Sequence, residues 1–258
     1  MSPYLSSLAH GMRRSWAAPG ELAVRASFYV VILVVFASLW RVAVSASGGD
    51  VAGYGYRELM WYVAAAEAAI IASKPRMIED IGTAIGSGAI AVEMLRPVSV
   101  VGFRVAAEFG EALVRLGCAL GAGAVFLVVF VGGPPRLVSL CVFLPVVVIG
   151  LAVNLVTQHA FAAAAFWLED AKASWFLYQK LIFLLGGMLL PLEMLPGWLA
   201  GIARVLPFWV MAYVPARFAS GHQDWASIPV QIAWLGAMLA AATGAFRLGE
   251  RKLLVVGG

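Results

Sequence analysis

The sequence predicts an all-α integral membrane protein with six transmembrane helices, and three observations lead to that prediction. Hydrophobic residues make up 62% of the 258-residue chain, whereas soluble domains contain about 45–50%. Charged residues make up only 12%, about half of the usual ~25%. The apolar residues also collect in runs that approach or exceed the ~20 residues needed to cross a bilayer. So few polar side chains cannot cover a water-soluble globule, and composition excludes that class.

Six apolar runs define the predicted spans within a single transmembrane domain covering residues 1–258. Charged residues, glycines and prolines separate the runs from one another. The second run is short and contains a glutamate, and the fourth is long enough for a tilted span. In chain order the runs are Leu22–Ala46, Leu59–Ser73, Val105–Val131, Leu137–Leu168, Trp175–Leu190 and Ile228–Phe246.

The segment before the first span predicts a helix in the membrane interface. Residues 4–17 carry apolar side chains at helical spacing, with Arg13 and Arg14 beside them. An amphipathic helix with a basic polar face suits the boundary between lipid headgroups and acyl chains.

Residues 74–101, between the second and third spans, predict a cytoplasmic segment with a short amphipathic helix. Ile78, Ile81 and Ile85 form its apolar edge. Such a helix, held between two spans, is suited to docking on another protein. The alternative is an interfacial loop that rests on lipid.

Residues 191–217, between the fifth and sixth spans, contain prolines at spacings that break the chain into short helices. Irregular backbone at membrane depth is tolerated only where protein or a water-filled cavity covers it. The pattern therefore predicts a re-entrant element on the outer side of the membrane.

The distribution of basic residues predicts the orientation. With six spans, the side that holds both termini carries eleven Lys and Arg residues, and the opposite side carries five. Cytoplasmic loops are enriched in these residues, so both termini are expected on the cytoplasmic side. The expected location is the inner membrane of a prokaryote. The basic residues are scattered rather than arranged in a stripe with aromatics, which gives no indication of nucleic-acid binding.

Polar residues inside the predicted spans are the candidates for the transport path, because each is expensive to bury in lipid. Glu67 lies in the middle of the second run, and Asn154 and Gln158 share one face of the fourth with Thr157. Either these groups hydrogen-bond between packed helices, with Glu67 protonated, or they line a pathway.

Four charged residues near the start of the third span predict a ladder of ion pairs within one helix. Arg104, Glu108, Glu111 and Arg115 follow one another at spacings of four, three and four. Opposite charges at these spacings lie on one helix face and attract each other.

Two charged residues on the outer side are candidates for a gate. Glu193 and Arg217 flank the proline-broken segment, and a carboxylate lowers its cost there by pairing with a guanidinium. The alternative is that Glu193 caps the short helix that begins near Pro196. Spacing in the sequence does not fix the distance between the two side chains.

Enzyme signatures are missing from the sequence. It contains no G-x-x-x-x-G-K-[ST] phosphate loop, no H-E-x-x-H, no G-x-S-x-G and no C-x-x-C. Its three histidines fall in three separate regions. We therefore predict no catalytic, metal-binding or cofactor-binding residues in this chain.

Several local motifs, in this order and spacing, resemble the six-span membrane subunits of type-2 ABC exporters. They are Ser87-Gly88, Met94–Ser99, Gly187 with Leu190–Leu192, Leu195–Trp198, Leu206–Phe208 and Tyr213–Arg217. The resemblance covers nearly the whole chain.

The resemblance implies an N-terminal interfacial helix, a cytoplasmic coupling helix and outer re-entrant helices. It also implies ABC ATPase subunits that bind ATP and magnesium, and a second permease, identical or a sister chain. The residues expected to couple this chain to the ATPase are Ile78, Ile81, Ile85, Leu95, Arg96 and Pro97.

The expected function is therefore the permease of an ATP-driven exporter that moves an amphipathic or hydrophobic substrate. Few ionisable groups are present to strip water from a highly charged solute. The alternatives are a secondary transporter, which usually shows internal repeats, and a non-catalytic membrane scaffold.

Overall fold

The computed structural model describes residues 2–94, 97–135, 137–168 and 171–256, with only the backbone described at 137–138, 140 and 253–256. Leu95 and Arg96, two of the predicted coupling residues, lie outside the described residues.

The described chain is helical apart from a hairpin of two short strands, Asp50–Val51 (β1) and Tyr54–Gly55 (β2). Short 3-10 turns occupy Ala163–Phe166 and Leu192–Met194. The α-helices are α1 Pro3–Trp16, α2 Pro19–Ala46, α3 Tyr56–Ile71, α4 Met77–Gly86, α5 Ala89–Met94, α6 Val100–Phe130, α7 Leu137–Ala162, α8 Ala171–Leu185, α9 Gly197–Val205, α10 Trp209–Ala219 and α11 Ser227–Val256.

Four of these helices are long and apolar enough to cross a membrane, so the multi-pass character of the chain is confirmed. They include α2, α6, α7 with the turn that follows it, and α11, which correspond to the first, third, fourth and sixth predicted spans. The second and fifth predicted spans are the helices α3 and α8, with 16 and 15 residues. At 1.5 Å per residue each is about 23 Å long, below the ~30 Å hydrocarbon thickness. The count of six spans therefore stays a prediction.

The predicted outer segment contains a sharp bend between two helices. The axes of α9 and α10 meet at 109°, with a break of only three residues around Pro207. Proline cannot continue a helix hydrogen-bond ladder, which accounts for the break. A bent pair of this kind is the geometry of a re-entrant loop or of a broken span.

Hydrogen bonds between distant parts of the chain define one end of the bundle, which we call the hairpin end because β1 and β2 lie there. Trp61, near the start of α3, donates from Nε1 to the carbonyl of Gly132 just after α6, at 3.3 Å. Gln223, between α10 and α11, donates to Ser139 Oγ near the start of α7, at 2.8 Å.

The opposite end, which we call the α4 end, is joined in the same way. Trp175 of α8 donates from Nε1 to the carbonyl of Pro75 at 2.7 Å. Lys252 of α11 donates to the carbonyl of Phe166 at 3.0 Å. The long helices joined at these two ends therefore alternate in direction, one running from the α4 end to the hairpin end and the next running back. The predicted topology has the same alternation.

The helices α3 and α10 are shorter than the four long helices and form the core of the bundle. Every residue of α3 from 59 to 69 is buried, and so is every residue of α10 from 209 to 216. In contrast, only 17% of the apolar window of α2 and 11% of that of α11 is buried. A helix that is apolar all round and enclosed by others is a core helix, and α3 and α10 fit that description.

The N-terminal helix α1 packs directly on α6 through two glycines. A Cβ at Gly11 would collide with the carbonyl oxygen of Ala107, and one at Gly110 with that of Leu8. Ser7 adds a hydrogen bond from Oγ to the carbonyl of Phe103 at 3.0 Å. The predicted interfacial helix therefore exists as a helix, but part of its surface is committed to α6.

The predicted ladder on α6 is only partly correct. Arg115 does pair with Glu111, at 2.8 Å, but Glu111 also contacts Arg14 of α1. Arg104 instead forms two hydrogen bonds, of 2.6 and 2.7 Å, to Glu93 of α5. Residues of the neighbouring helices α1 and α5 therefore supply ion-pair partners that spacing within α6 does not reveal.

The glycine contact predicts a specific loss of stability. Gly110→Ala forces α1 away from α6, and overpacking of this kind costs about 1–3 kcal/mol. The melting temperature of the purified protein, followed by tryptophan fluorescence, should fall by several degrees. Gly117→Ala on the same helix is the control, because nothing lies within 4 Å of the added methyl group. Equal stability of the two variants would contradict the close approach.

Candidate functional site

A groove of about 250 Å³ opens between α2, α3, α7 and α8, and the three polar residues predicted for the transport path line it together. We call it the Glu67 groove. Its lining includes Phe28, Glu67, Asn154, Gln158, Trp175 and Tyr178.

The amide side chains in this groove form a small network on α7. Asn154 Oδ1 accepts a hydrogen bond from Gln158 Nε2 at 2.8 Å and another from the Tyr178 hydroxyl of α8. In the described structure, Asn154 Nδ2 is buried without a hydrogen-bond partner. Thr157 bonds to the carbonyl of Val153 on its own helix at 2.7 Å, and so it takes no part in the network.

Glu67 is the unusual member of the groove. It is only 6% exposed, and among the described residues it has neither a hydrogen bond nor an ion pair. The predicted alternative, a hydrogen bond between packed helices, is therefore not found in that part of the chain. A buried carboxyl without a partner is costly in its charged form, so charged Glu67 would need a positive charge nearby, and the described residues provide none.

A second groove of about 530 Å³ continues the first, and Phe28, Ile71 and Pro75 line both. We call it the peripheral groove. Glu21 and Arg25 of α2 lie in its wall and form an ion pair of 2.8 Å. The two grooves together run from the middle of the bundle towards its α4 end.

The structure corrects the predicted role of the isoleucines in α4. Ile78, Ile81 and Ile85 are at most 3% exposed, because α4 packs them against α7, α8 and the turn at 163–166. Gly82 lies so close to α8 that a Cβ there would collide with Ala171. The apolar edge is therefore covered by this chain and is not open to a partner.

The exposed surface of α4 lies on its opposite face. Asp80 and Thr83 are exposed there, and the exposed stretch continues from 86 to 89 past the end of the helix. Pro97, the remaining described member of the predicted coupling set, is also exposed, between α5 and α6.

At the hairpin end the structure brings together the two residues proposed for the outer gate. Arg217 Nη1 lies 3.2 Å from Glu193 Oε1. The Tyr213 hydroxyl lies between them, donating to Glu193 Oε1 at 2.6 Å and accepting from Arg217 Nη1 at 3.1 Å. We call these three residues the Glu193 cluster. The first turn of α9 has no side-chain cap, so capping by Glu193 does not occur.

Aromatic residues around the Glu193 cluster were missed in the sequence. Tyr62 donates to the carbonyl of Gly187 at 2.5 Å, where the positive φ of +66° turns the chain after α8. Tyr54 stacks on His222 with ring centroids 4.1 Å apart. Burial, reinforced by the charge of Glu193, raises the pKa of Tyr54. The bonded partners Tyr62 and Gly187 lie 125 positions apart, so no local spacing signals these contacts.

A comparison with protein families supplies the assignment that the geometry alone does not. The family model described as ABC-2 family transporter protein matches residues 28–254, which is most of the chain. The chain belongs to this family. A comparison with curated proteins gives no match.

Membership of the ABC-2 family makes the chain a permease subunit of an ABC transporter and implies association with an ABC ATPase. The family assignment favours this role over a secondary transporter or a membrane scaffold. It also indicates a non-catalytic membrane subunit. The resemblance to this class of permease is therefore confirmed.

The Glu193 cluster of the ABC-2 permease predicts different effects for two tyrosine hydroxyls. Tyr213→Phe removes the hydroxyl that joins Glu193 to Arg217, and hydrogen bonds to charged groups contribute about 1.5–3 kcal/mol. Its melting temperature should therefore fall by several degrees. Tyr54→Phe is the control, because within the described residues the Tyr54 hydroxyl is buried without a hydrogen-bond partner. A larger loss in the control would refute the bridging role of Tyr213.

Proposed function

We propose that the chain is the permease of an ATP-driven exporter in a prokaryotic cytoplasmic membrane, with both termini in the cytoplasm. ATP and magnesium bind to separate ATPase subunits, and a second permease, identical or related, completes the transporter. The family assignment and the lack of a phosphate-binding loop in the sequence support this division of labour.

In the proposed topology, α3 and α8 complete a set of six spans. Longer helices enclose α3, whereas one face of α8 is exposed. The reduced length of both is compatible with this role because a short span is accommodated by local thinning of the bilayer. The α4 end then faces the cytoplasm, and the bent pair α9–α10 enters the membrane from outside as a re-entrant element.

The position of α4 is the observation that carries the proposal. One face of this helix is buried on α7 and α8, while the other is exposed at the end of the bundle opposite the Glu193 cluster. A helix anchored in this way can transmit movement of a bound ATPase to the bundle. The contact is made by the exposed polar face and the stretch at 86–89, in place of the isoleucine edge.

The substrate path includes the Glu67 groove, and the substrate is amphipathic or hydrophobic. The wall of the groove is largely apolar, with Phe28, Trp175 and Ile182 among its members. Apolar surface in the groove favours ligands that release water when they bind.

A matched pair of serines tests the docking surface. Ser87 and Ser47 are both exposed, and each follows the last residue of a helix and bonds to a carbonyl of that helix. Ser87 lies at the α4 end, whereas Ser47 lies at the hairpin end. Ser87→Trp should reduce co-purification of the ATPase at least tenfold by steric exclusion, while Ser47→Trp should not. If both variants retain the ATPase, the end of α4 is not the docking surface.

Charge exchange tests whether the Glu193 cluster closes the outer end. Glu193→Arg should open this end by repelling Arg217, and Arg217→Glu added to it should restore part of the closure. The reporter is Ala216→Cys, a fully buried position on α10, in a background where Cys118 and Cys141 are replaced. An impermeant maleimide should label it at least fivefold faster in the single variant than in the double variant.

A second double variant is the control for this exchange. Arg204 is an exposed residue of α9, and no ion pair to it is found among the described residues. Glu193→Arg with Arg204→Glu changes the charge by the same amount but should leave the labelling fast. Slow labelling of the Glu193→Arg single variant would count against a closing role for the cluster.

A further inference from the structure

We propose that the Glu67 groove is a binding site for a monovalent lipophilic cation, with Glu67 as its counter-charge. This inference rests on the proposed function as a permease and narrows the class of substrate. It follows from the charges, the hydrogen bonds and the aromatic rings in the two connected grooves.

The charge balance of the grooves is the first argument. Four charged residues line them in the described structure: Glu21, Arg25, Glu67 and Lys74. Arg25 pairs with Glu21 at 2.8 Å, and Lys74 pairs with Asp80 at 2.6 Å. Glu67 alone has no cationic partner among the described residues, so the lining carries one uncompensated acidic group.

The depth of Glu67 is the second argument. Its side chain is nearly enclosed, yet it borders the groove. Attraction between opposite charges strengthens as water is excluded. A cation in the groove would stabilise the charged form of the Glu67 carboxyl, whereas an anion would destabilise it.

The rings in the groove wall are the third argument. Phe28, Trp175 and Tyr178 present aromatic surface in the same groove as Glu67. The Trp175 ring is held in place by its hydrogen bond to Pro75. Aromatic faces attract cations and also contact apolar substituents, so the combination selects a charge carried on an apolar body.

The Asn154 amide adds a polar contact at the same place. Its oxygen is occupied by Gln158 and Tyr178, while Nδ2 is buried and unpartnered among the described residues. A ligand that carries a hydrogen-bond acceptor beside its positive charge would satisfy this donor. Asn154 is therefore a second group in the groove lining whose polar atom lacks a partner among the described residues.

Two ions of the same shape and opposite charge test the proposal. The permease–ATPase complex in lipid nanodiscs is titrated with radiolabelled tetraphenylphosphonium or tetraphenylborate, and binding to empty nanodiscs is subtracted. The wild-type complex should bind the phosphonium at least tenfold more tightly than the borate. Absence of phosphonium binding, or equal affinity for the two ions, would overturn the proposal.

Substitution of Glu67 tests the counter-charge directly. Glu67→Gln keeps the shape of the side chain and should weaken phosphonium binding at least tenfold while leaving borate binding no weaker. Glu108→Gln is the control, because Glu108 is a half-buried carboxyl on α6 that lines neither groove. Unchanged phosphonium binding in Glu67→Gln would also overturn the proposal.

Replacing the exposed ring of Phe28 tests where the cation binds without disturbing the buried core of the bundle. Phe28 is 61% exposed and lines both grooves, so Phe28→Ala should fold normally and weaken phosphonium binding about threefold. Phe183→Ala, an exposed ring of α8 outside both grooves, should have no effect. Equal binding by the two variants would place the cation elsewhere.

Co-elution of the ATPase is recorded for every sample as a separate measurement. A complex that assembles but does not prefer the phosphonium contradicts the cation site alone. A permease that binds the phosphonium but never retains an ATPase contradicts the proposed function and leaves the cation site standing.

Discussion

The bundle depends on one constraint: polar groups within it must find partners inside the chain, because hydrocarbon offers none. The Gln231 amide of α11 finds such partners by donating to the carbonyls of Val146 on α7 and Val210 on α10, which joins the three helices. The Tyr62 hydroxyl meets the constraint through the carbonyl of Gly187, and the Glu111 carboxylate through two arginines. The constraint is left unmet at several buried atoms of the described residues, among them the Tyr54 hydroxyl and Gln231 Oε1. At Glu67 and Asn154 Nδ2 the structure also has a groove. Unsatisfied polarity and open space coincide there, which is typical of a place where a ligand binds.

The polar residues of the groove could be predicted from the sequence because each interrupts an otherwise apolar run. Glu67, Asn154 and Gln158 are recognisable in this way, and the structure places all three around one groove. Glu193 and Arg217 could be predicted as a pair from their positions beside prolines, but the distance between their side chains could not be predicted. The bridging role of Tyr213 was not predicted, because aromatic residues are common near membrane surfaces and nothing in local spacing distinguishes one that bridges two charges.

The isoleucines of α4 show the limit of pattern analysis more clearly. Their spacing correctly predicts an amphipathic helix with an apolar edge. It contains no information on which surface covers that edge, and here the covering surface belongs to α7 and α8 of the same chain. The lengths of α3 and α8 reveal a related limit. Hydropathy predicts both as spans, but it does not distinguish a helix that faces lipid from one that other helices enclose.

Burial of the three isoleucines gives α4 the mechanical character of a lever. Because its inner face packs against α7 and α8, a force on the outer face of α4 would also act on those two helices. The force is delivered to the two helices that carry Asn154, Gln158 and Tyr178. The opposite wall, with Phe28 and Glu67, belongs to α2 and α3. In the proposed transporter, a push at the end of the bundle would therefore act first on one wall of the groove, and any shift of that wall relative to the other would change the width of the groove.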